Sequence, residues 1–341
     1  MAVTQGVTNG KKPSKAPEFN EFKRVMMTTA LVFPGQGSQT VGMGKSLAEN
    51  FAAAREVFQE VDEALSQPLF KLMVEGPEAE LNKTENTQPA IMAASLAAYR
   101  VMEKETGFTL PKGALFVAGH SLGEYSALTA AGALSVGECA RLLRIRGAAM
   151  QAAVPEGQGA MAAIIGPDLA TVQEIVKEAA AQSGEVVEVA NHNSTNQIVI
   201  SGTTKGIEVA MQVAKDKGAK RAVLLTVSAP FHCSLMKPAA LAMREALDKA
   251  AVNAPKVPVV ANISASAMSD PAQIRDALVK QVTGMVRWVD SIGYLQQHGI
   301  SRIIEVGHGN VLTGLIKRIV PEMTLINVGS VEDIETYSKA A

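Results

Sequence analysis

The sequence has no apolar run long enough to cross a bilayer: its longest, Ala90 to Tyr99, is about half the ~20 residues a spanning helix needs. It also lacks the apolar core of a secretory signal, so no membrane role is expected. Charge of one sign is missing as well. Lys and Arg number 32 against 33 Asp and Glu, and no basic stripe alternates with aromatics. The electrostatic footprint of a nucleic-acid binder is therefore absent. Only two cysteines occur, Cys139 and Cys233, with no CxxC pair. That excludes a disulfide framework and fits a reducing compartment, so a cytoplasmic location is expected. What is present is a chain of 341 residues, 47% hydrophobic and 19% charged. It can bury one large core, or one large and one small.

Residues 1–27 stand apart, rich in Lys, Asn, Pro and Thr and without hydrophobic period. They read as a disordered leader or tag; an organellar transit peptide is the alternative, disfavoured by the acidic Glu18 and Glu21. From Thr29 the pattern alternates strand and helix. T-A-L-V-F runs into P-G-Q-G-S-Q, a buried strand entering a glycine-rich turn. Helical spacing follows over Ser46–Ser66 and Gln88–Glu105, and then A-L-F-V-A-G reads as a second buried strand. That strand ends at Gly119-His120-Ser121-Leu122-Gly123, which matches G-x-S-x-G, and a helix resumes after it. A serine on a sharp strand-to-helix turn projects its Oγ into a cleft, and the flanking glycines supply steric room. The following helix turns free N–H groups toward the same point, where a tetrahedral oxyanion would form. Ser121 is the candidate nucleophile. A plain strand-to-helix turn is the bland alternative.

The middle of the chain has the order βαββαβ, from A-M-A-A-I-I-G to R-A-V-L-L-T-V. This is a ferredoxin-like arrangement, read as a small domain over 154–227 inserted into a larger α/β domain built from 28–153 and 228–341. A serine nucleophile needs a base. His120 adjoins Ser121 on the tight turn, while His192, His298 and His308 have no partner that sequence names. His232 lies in S-A-P-F-H-C-S-L-M, where the small unit returns to the large one and a cleft would form. A satisfied structural histidine is the competing reading of that position.

Three segments, F-P-G-Q-G-S-Q at Phe33–Gln39, G-H-S-L-G-E at Gly119–Glu124 and P-F-H-C-S-L-M at Pro230–Met236, together resemble the malonyl-CoA:acyl carrier protein transacylase family. E-N-T-Q-P-A, L-L-R-I-R-G, G-A-M-A-A-I and V-L-T-G-L-I-K-R-I-V extend the likeness from about Thr29 to the C-terminal region. The resemblance implies an α/β-hydrolase-like large domain with a ferredoxin-like insertion, in agreement with the order read from pattern.

It also implies roles. Ser121 becomes the nucleophile and His232 its general base and acid, held by backbone carbonyls. Arg146, on the helix after the serine turn, binds the malonyl carboxylate, whereas Arg141 and Arg144 read as a solvated face. A planar guanidinium suits that task by bidentate, charge-assisted pairing. Backbone N–H groups of Gln36 and Leu122 form the oxyanion hole, and Gln281 lies near the base. His120 joins the substrate-binding residues, and Phe231 resembles malonyl-selective relatives. Lys317 and Arg318 are expected to dock an acidic carrier protein. The implied reaction moves malonyl from coenzyme A to the phosphopantetheine of acyl carrier protein in fatty-acid biosynthesis, without metal or redox cofactor, by a monomer. The alternatives are a serine esterase or thioesterase, for which Asp270, Asp276, Asp290 or Glu305 would have to orient the histidine, and a carrier-binding module without activity. Cys233, beside the base, reads as packing.

Overall fold

The computed structural model describes residue 1 and residues 28–340. The leader expected over 1–27 lies, Met1 apart, outside the described residues. Among the described residues ten strands form two sheets. The larger contains β1 (Thr29–Phe33), β2 (Phe116–Gly119), and, after the smaller sheet's four strands in the chain, β7 (Val259–Ala261), β8 (Ser266–Met268), β9 (Arg302–Val306) and β10 (Thr324–Val328). The smaller contains β3 (Gly159–Ile165), β4 (Val187–Ser194), β5 (Gln197–Thr203) and β6 (Arg221–Leu224).

The large sheet runs β10-β9-β1-β2-β7-β8, parallel throughout except for the antiparallel edge strand β8. Alternation along β1 explains its position. Leu31 and Phe33 point into one core with Val117, Val259 and Ile304, while Ala30 and Val32 point into another with Ala118, Val260 and Ile303. Every residue of β1 is buried, as a parallel sheet covered on both faces requires. On the first face the cover is the helix Thr84–Thr106, apolar nearly all round and itself enclosed by the helices Ala52–Leu65 and Val136–Ala152. On the second face the helices Trp288–Gln297 and Val311–Ile319 pack.

The small sheet is wholly antiparallel, in the order β4-β5-β3-β6. Ala162, Ile164, Ile198 and Ile200 face the helices Leu169–Ser183 and Thr204–Asp216. The opposite face, with Met161, Ala163 and Val199, joins the core of the large sheet. Two backbone hydrogen bonds tie β4 to the segment that leads into the helix Trp288–Gln297, from His192 N–H to Val286 O and from Val286 N–H to Ala190 O. No helix among the described residues is long and apolar enough to cross a membrane.

The elements read from sequence stand close to where expected, and the structure adds others. Phe51 breaks the first helical stretch into Lys45–Asn50 and Ala52–Leu65. The short strand β8 turns back on β7, and β10 extends the sheet beyond β9. Both are short strands with polar or half-buried residues, so neither carries a strong period-2 signal.

Candidate active site

β1 and β2 lie side by side and end at the same edge of the sheet, so the turns that follow them meet. Ser121 heads the second turn with φ 54°, a left-handed backbone that costs a non-glycine residue of order 1–3 kcal/mol. The flanking glycines are sterically required. A Cβ on Gly119 would lie 2.0 Å from the Gly123 backbone, and one on Gly123 would lie 2.2 Å from Phe33 O. The helix Gly123–Ala130 begins directly after the serine.

His232 also has a left-handed backbone, φ 59°, and is 4% exposed. Its Nε2 lies 2.8 Å from Ser121 Oγ, and its Nδ1 lies 2.8 Å from the carbonyl of Gln281. A carbonyl only accepts, so Nδ1 carries the ring proton and the Nε2 lone pair faces the serine hydroxyl. Burial, with the Arg146 charge adding to it, pushes the imidazole down to about 3. The ring is therefore held neutral, with its Nε2 lone pair on the serine hydroxyl. Of the acids considered as a third member, none touches it. Asp270 caps the helix Pro271–Thr283, Asp276 pairs with Arg244, Asp290 with Arg287, and Glu305 accepts from Leu312 and Thr313 N–H.

Arg146 lies not on the helix directly after the serine turn but on the next one, Val136–Ala152, capped by Ser135. Gly147 beside it lets this helix close on the start of Thr84–Thr106, since a Cβ there would sit 2.5 Å from Thr84 O. That approach brings Arg146 Nη1 to 2.8 Å from Gln88 Oε1. Nη2 donates to Gln281 Oε1 at 2.9 Å and to Ser121 Oγ at 3.1 Å, and Nε has no partner. The guanidinium is 1% exposed, and no carboxylate lies within 4 Å of it among the described residues. The two neighbouring arginines differ from one another. Arg141 is exposed and paired with Glu138, as a solvated face predicts, but Arg144 is half-buried and holds Asn86 and Gln67, correcting that expectation.

A cavity of about 320 Å³ opens onto Ser121 and His232, lined also by Gln36, His120, Asn193, Met161 and Phe231. His120 Nε2 is bound to Asn193 Oδ1 at 2.8 Å, and its ring meets Trp288 edge-on. The N–H groups of Gln36 and Leu122 are bound to no acceptor among the described residues. Gln281 Nε2 donates to Ser121 O at 3.0 Å. A further hollow of about 450 Å³ shares Gln36, Asn193, Val199 and Leu225 with the first and reaches Arg318. Lys317 lies exposed beside Arg318 and lines neither. The other histidines stand off: His308 binds Thr40, His298 stacks on Tyr294, and His192 belongs to β4. Cys233 is buried, its thiol directed at Pro230 O.

Sequence reasoning missed Gln88, Glu124, Asn193 and Asn262. Glu124 lay inside G-H-S-L-G-E, where it reads as an acid in the first turn of a helix, and Gln88 inside E-N-T-Q-P-A, where no role was read for it. The others are amides whose partners are distant in the chain.

The arrangement joins a hydroxyl, a neutral imidazole and a buried cation that no carboxylate touches among the described residues, which suits acyl transfer involving an anionic acyl group. Comparison with known proteins fits that class. A family model described as acyl transferase domain matches residues 30–335, and the chain belongs to that family. It is 46% identical over 312 residues to the malonyl CoA-acyl carrier protein transacylase of Bacillus subtilis, covering 91% of this chain and 96% of the relative. The Escherichia coli K12 protein of the same name is 48% identical over 299 residues, covering 88% and 95%. The crystal structure of an acyl-carrier-protein S-malonyltransferase from Bartonella henselae superposes with a TM-score of 0.89 at 52% identity, covering 92% of this chain and 99% of that one. A type II polyketide acyl carrier protein in complex with its malonyl-transacylase gives 0.88 at 42% identity, covering 92% and 99%.

Proposed function

We propose that the protein transfers a malonyl group from malonyl-CoA to the phosphopantetheine thiol of acyl carrier protein, as an [acyl-carrier-protein] S-malonyltransferase of fatty-acid biosynthesis. The single observation that carries this reading is the buried Arg146, without a carboxylate partner and 3.1 Å from Ser121 Oγ. A malonyl group on that oxygen would bring its free carboxylate to the guanidinium, and an acetyl group would not.

Ser121 Oγ attacks the thioester carbonyl as its proton passes to His232 Nε2, and the tetrahedral oxyanion is received by the N–H groups of Gln36 and Leu122. The carbon–sulfur bond breaks, His232 returns the proton to the departing coenzyme A sulfur, and malonyl-Ser121 remains. The carrier thiol then gives its proton to His232 and attacks the acyl-serine, and the proton returns to Ser121 Oγ. One thioester replaces another, so the two half-reactions balance with no metal or redox group. Phe231 and His120 shape the acyl end of the cleft, and Gln281 holds both the base and Arg146.

The larger unit, 28–153 with 228–341, we read as α/β-hydrolase-like, and 154–227 as its ferredoxin-like insertion. The strained serine turn after β2 supports the first reading. Counted in chain order within the small unit, its strands lie 4-1-3-2 across the sheet, which supports the second. Lys317 and Arg318 are proposed to meet the acidic carrier, Arg318 at the rim of the outer hollow.

The test is intact-protein mass spectrometry after mixing with malonyl-CoA. A stable malonyl adduct on the Ser121 peptide, absent in Ser121→Ala, is expected. Rapid release of free malonate would point to the hydrolase alternative, and absence of any adduct to a binding module.

A further inference from the structure

The left-handed backbone at Ser121 is approached by a buried side chain that binds the two peptide groups leading into it. Asn262 follows β7, the neighbour of β2, and is fully buried. Its Oδ1 accepts from the Ser121 N–H at 2.8 Å and its Nδ2 donates to Gly119 O at 2.7 Å. An amide is the side chain that can do both at once, having an acceptor and a donor on one carbon. Asn262 is oriented in turn by its own N–H, which donates to Glu124 Oε2 at 2.9 Å.

The same carboxylate oxygen accepts from Gln281 Nε2 at 2.9 Å. Gln281 is the residue whose backbone carbonyl holds His232 and whose side-chain oxygen holds Arg146. Glu124 is 1% exposed, and burial pushes its carboxyl up to about 7. A carboxyl so placed is costly, and its named hydrogen bonds all run to residues that touch the serine turn.

We propose that Asn262 and Glu124 are positioning residues for acyl transfer, Asn262 clasping the two peptide groups that flank His120 and lead into Ser121, and Glu124 locking Asn262 to Gln281, which holds the Ser121 carbonyl on the far side. Hydroxyl, imidazole and guanidinium, which come from three separate elements, thereby keep one geometry. The proposal rests on Ser121 being the nucleophile.

The test uses the full-length protein with two probes, malonyl-CoA and a sulfonyl fluoride, each followed as covalent adduct formation on Ser121. Asn262→Ala is expected to slow malonyl loading at saturating substrate by about a hundredfold, the cost of misplacing a reacting atom. The malonyl-CoA concentration for half-maximal rate should move less than about threefold, because substrate contacts are untouched. Sulfonylation, which needs hydroxyl and imidazole but not Arg146, should slow in parallel. Glu124→Ala should lose roughly tenfold, and Glu124→Gln should recover most of it, since its side-chain oxygen can accept the same two N–H groups. Should Asn262→Ala fail to fold, Asn262→Asp keeps the acceptor and lacks the donor, and the Glu124 pair stands independently. Wild-type loading by Asn262→Ala, or a Glu124→Gln as slow as Glu124→Ala, overturns the proposal. Wild-type protein that is sulfonylated but never malonylated would instead refute the malonyl reading.

Discussion

One hollow of this protein is bordered by charged side chains and another has a single charge buried behind its wall, and the two differ in how that charge is held. One, about 220 Å³, is bordered by Glu56, Glu60, Arg100, Glu103 and Lys104. There Arg100 meets Glu103 at 2.7 Å, Lys104 lies 3.9 Å from Glu56, and Glu60 accepts from Gly137 N–H. The other opens on Ser121 and His232, behind which Arg146 is buried without a carboxylate. Concavity is common to both. Unsatisfied capacity is not: a guanidinium with an unpartnered Nε and no carboxylate in contact, an imidazole lone pair on a hydroxyl and two unspent N–H groups converge only at the second. A buried charge held only by neutral hydrogen-bond partners is costly, which suits a site that an anionic ligand completes.

The contrast can be broken or sharpened by mutation. The largest effect is expected from Arg146→Ala, which should lower malonyl transfer by about a hundredfold while raising activity toward acetyl-CoA relative to malonyl-CoA. Equal losses for both acyl groups, measured as kcat/KM, would contradict the role given to this arginine. Charge reversal of Lys317 and Arg318 should raise the KM for carrier protein by roughly tenfold at low salt, with little change in malonyl loading. An unchanged carrier KM would leave that helix end as ordinary solvated surface. The smallest effect belongs to the other hollow. Arg100→Ala should change stability by no more than ~0.5 kcal/mol in urea melts and leave transfer intact, because its exposed pair is screened by water. Loss of transfer there would show that spent charge is a poor guide to silence.

Much of this was legible in the order of residues. The strands β1 and β2 announce themselves by continuous apolar runs, and the glycines around Ser121 by the steric need that the 2.0 Å and 2.2 Å approaches explain. Arg146 lies beside Ser121 as the sequence reading expects, yet Arg144, two residues earlier, was misread as solvated because its partners Asn86 and Gln67 lie 58 and 77 residues away. Asn262 left no trace in the sequence for the same reason: its bonds to Gly119 and Ser121 span 143 and 141 residues.

The sequence by itself determined which local conformations were affordable: buried strands, capped helices and a turn that only small flanking residues permit. These follow from short-range sterics and periodicity, which act between neighbours in the chain. Which arginine is left without a carboxylate, which carbonyl steers the imidazole and which amide clasps the serine turn were decided only by tertiary structure. Hydrogen bonds and desolvation depend on distance in space, and no local pattern encodes the groups that folding brings within 3 Å.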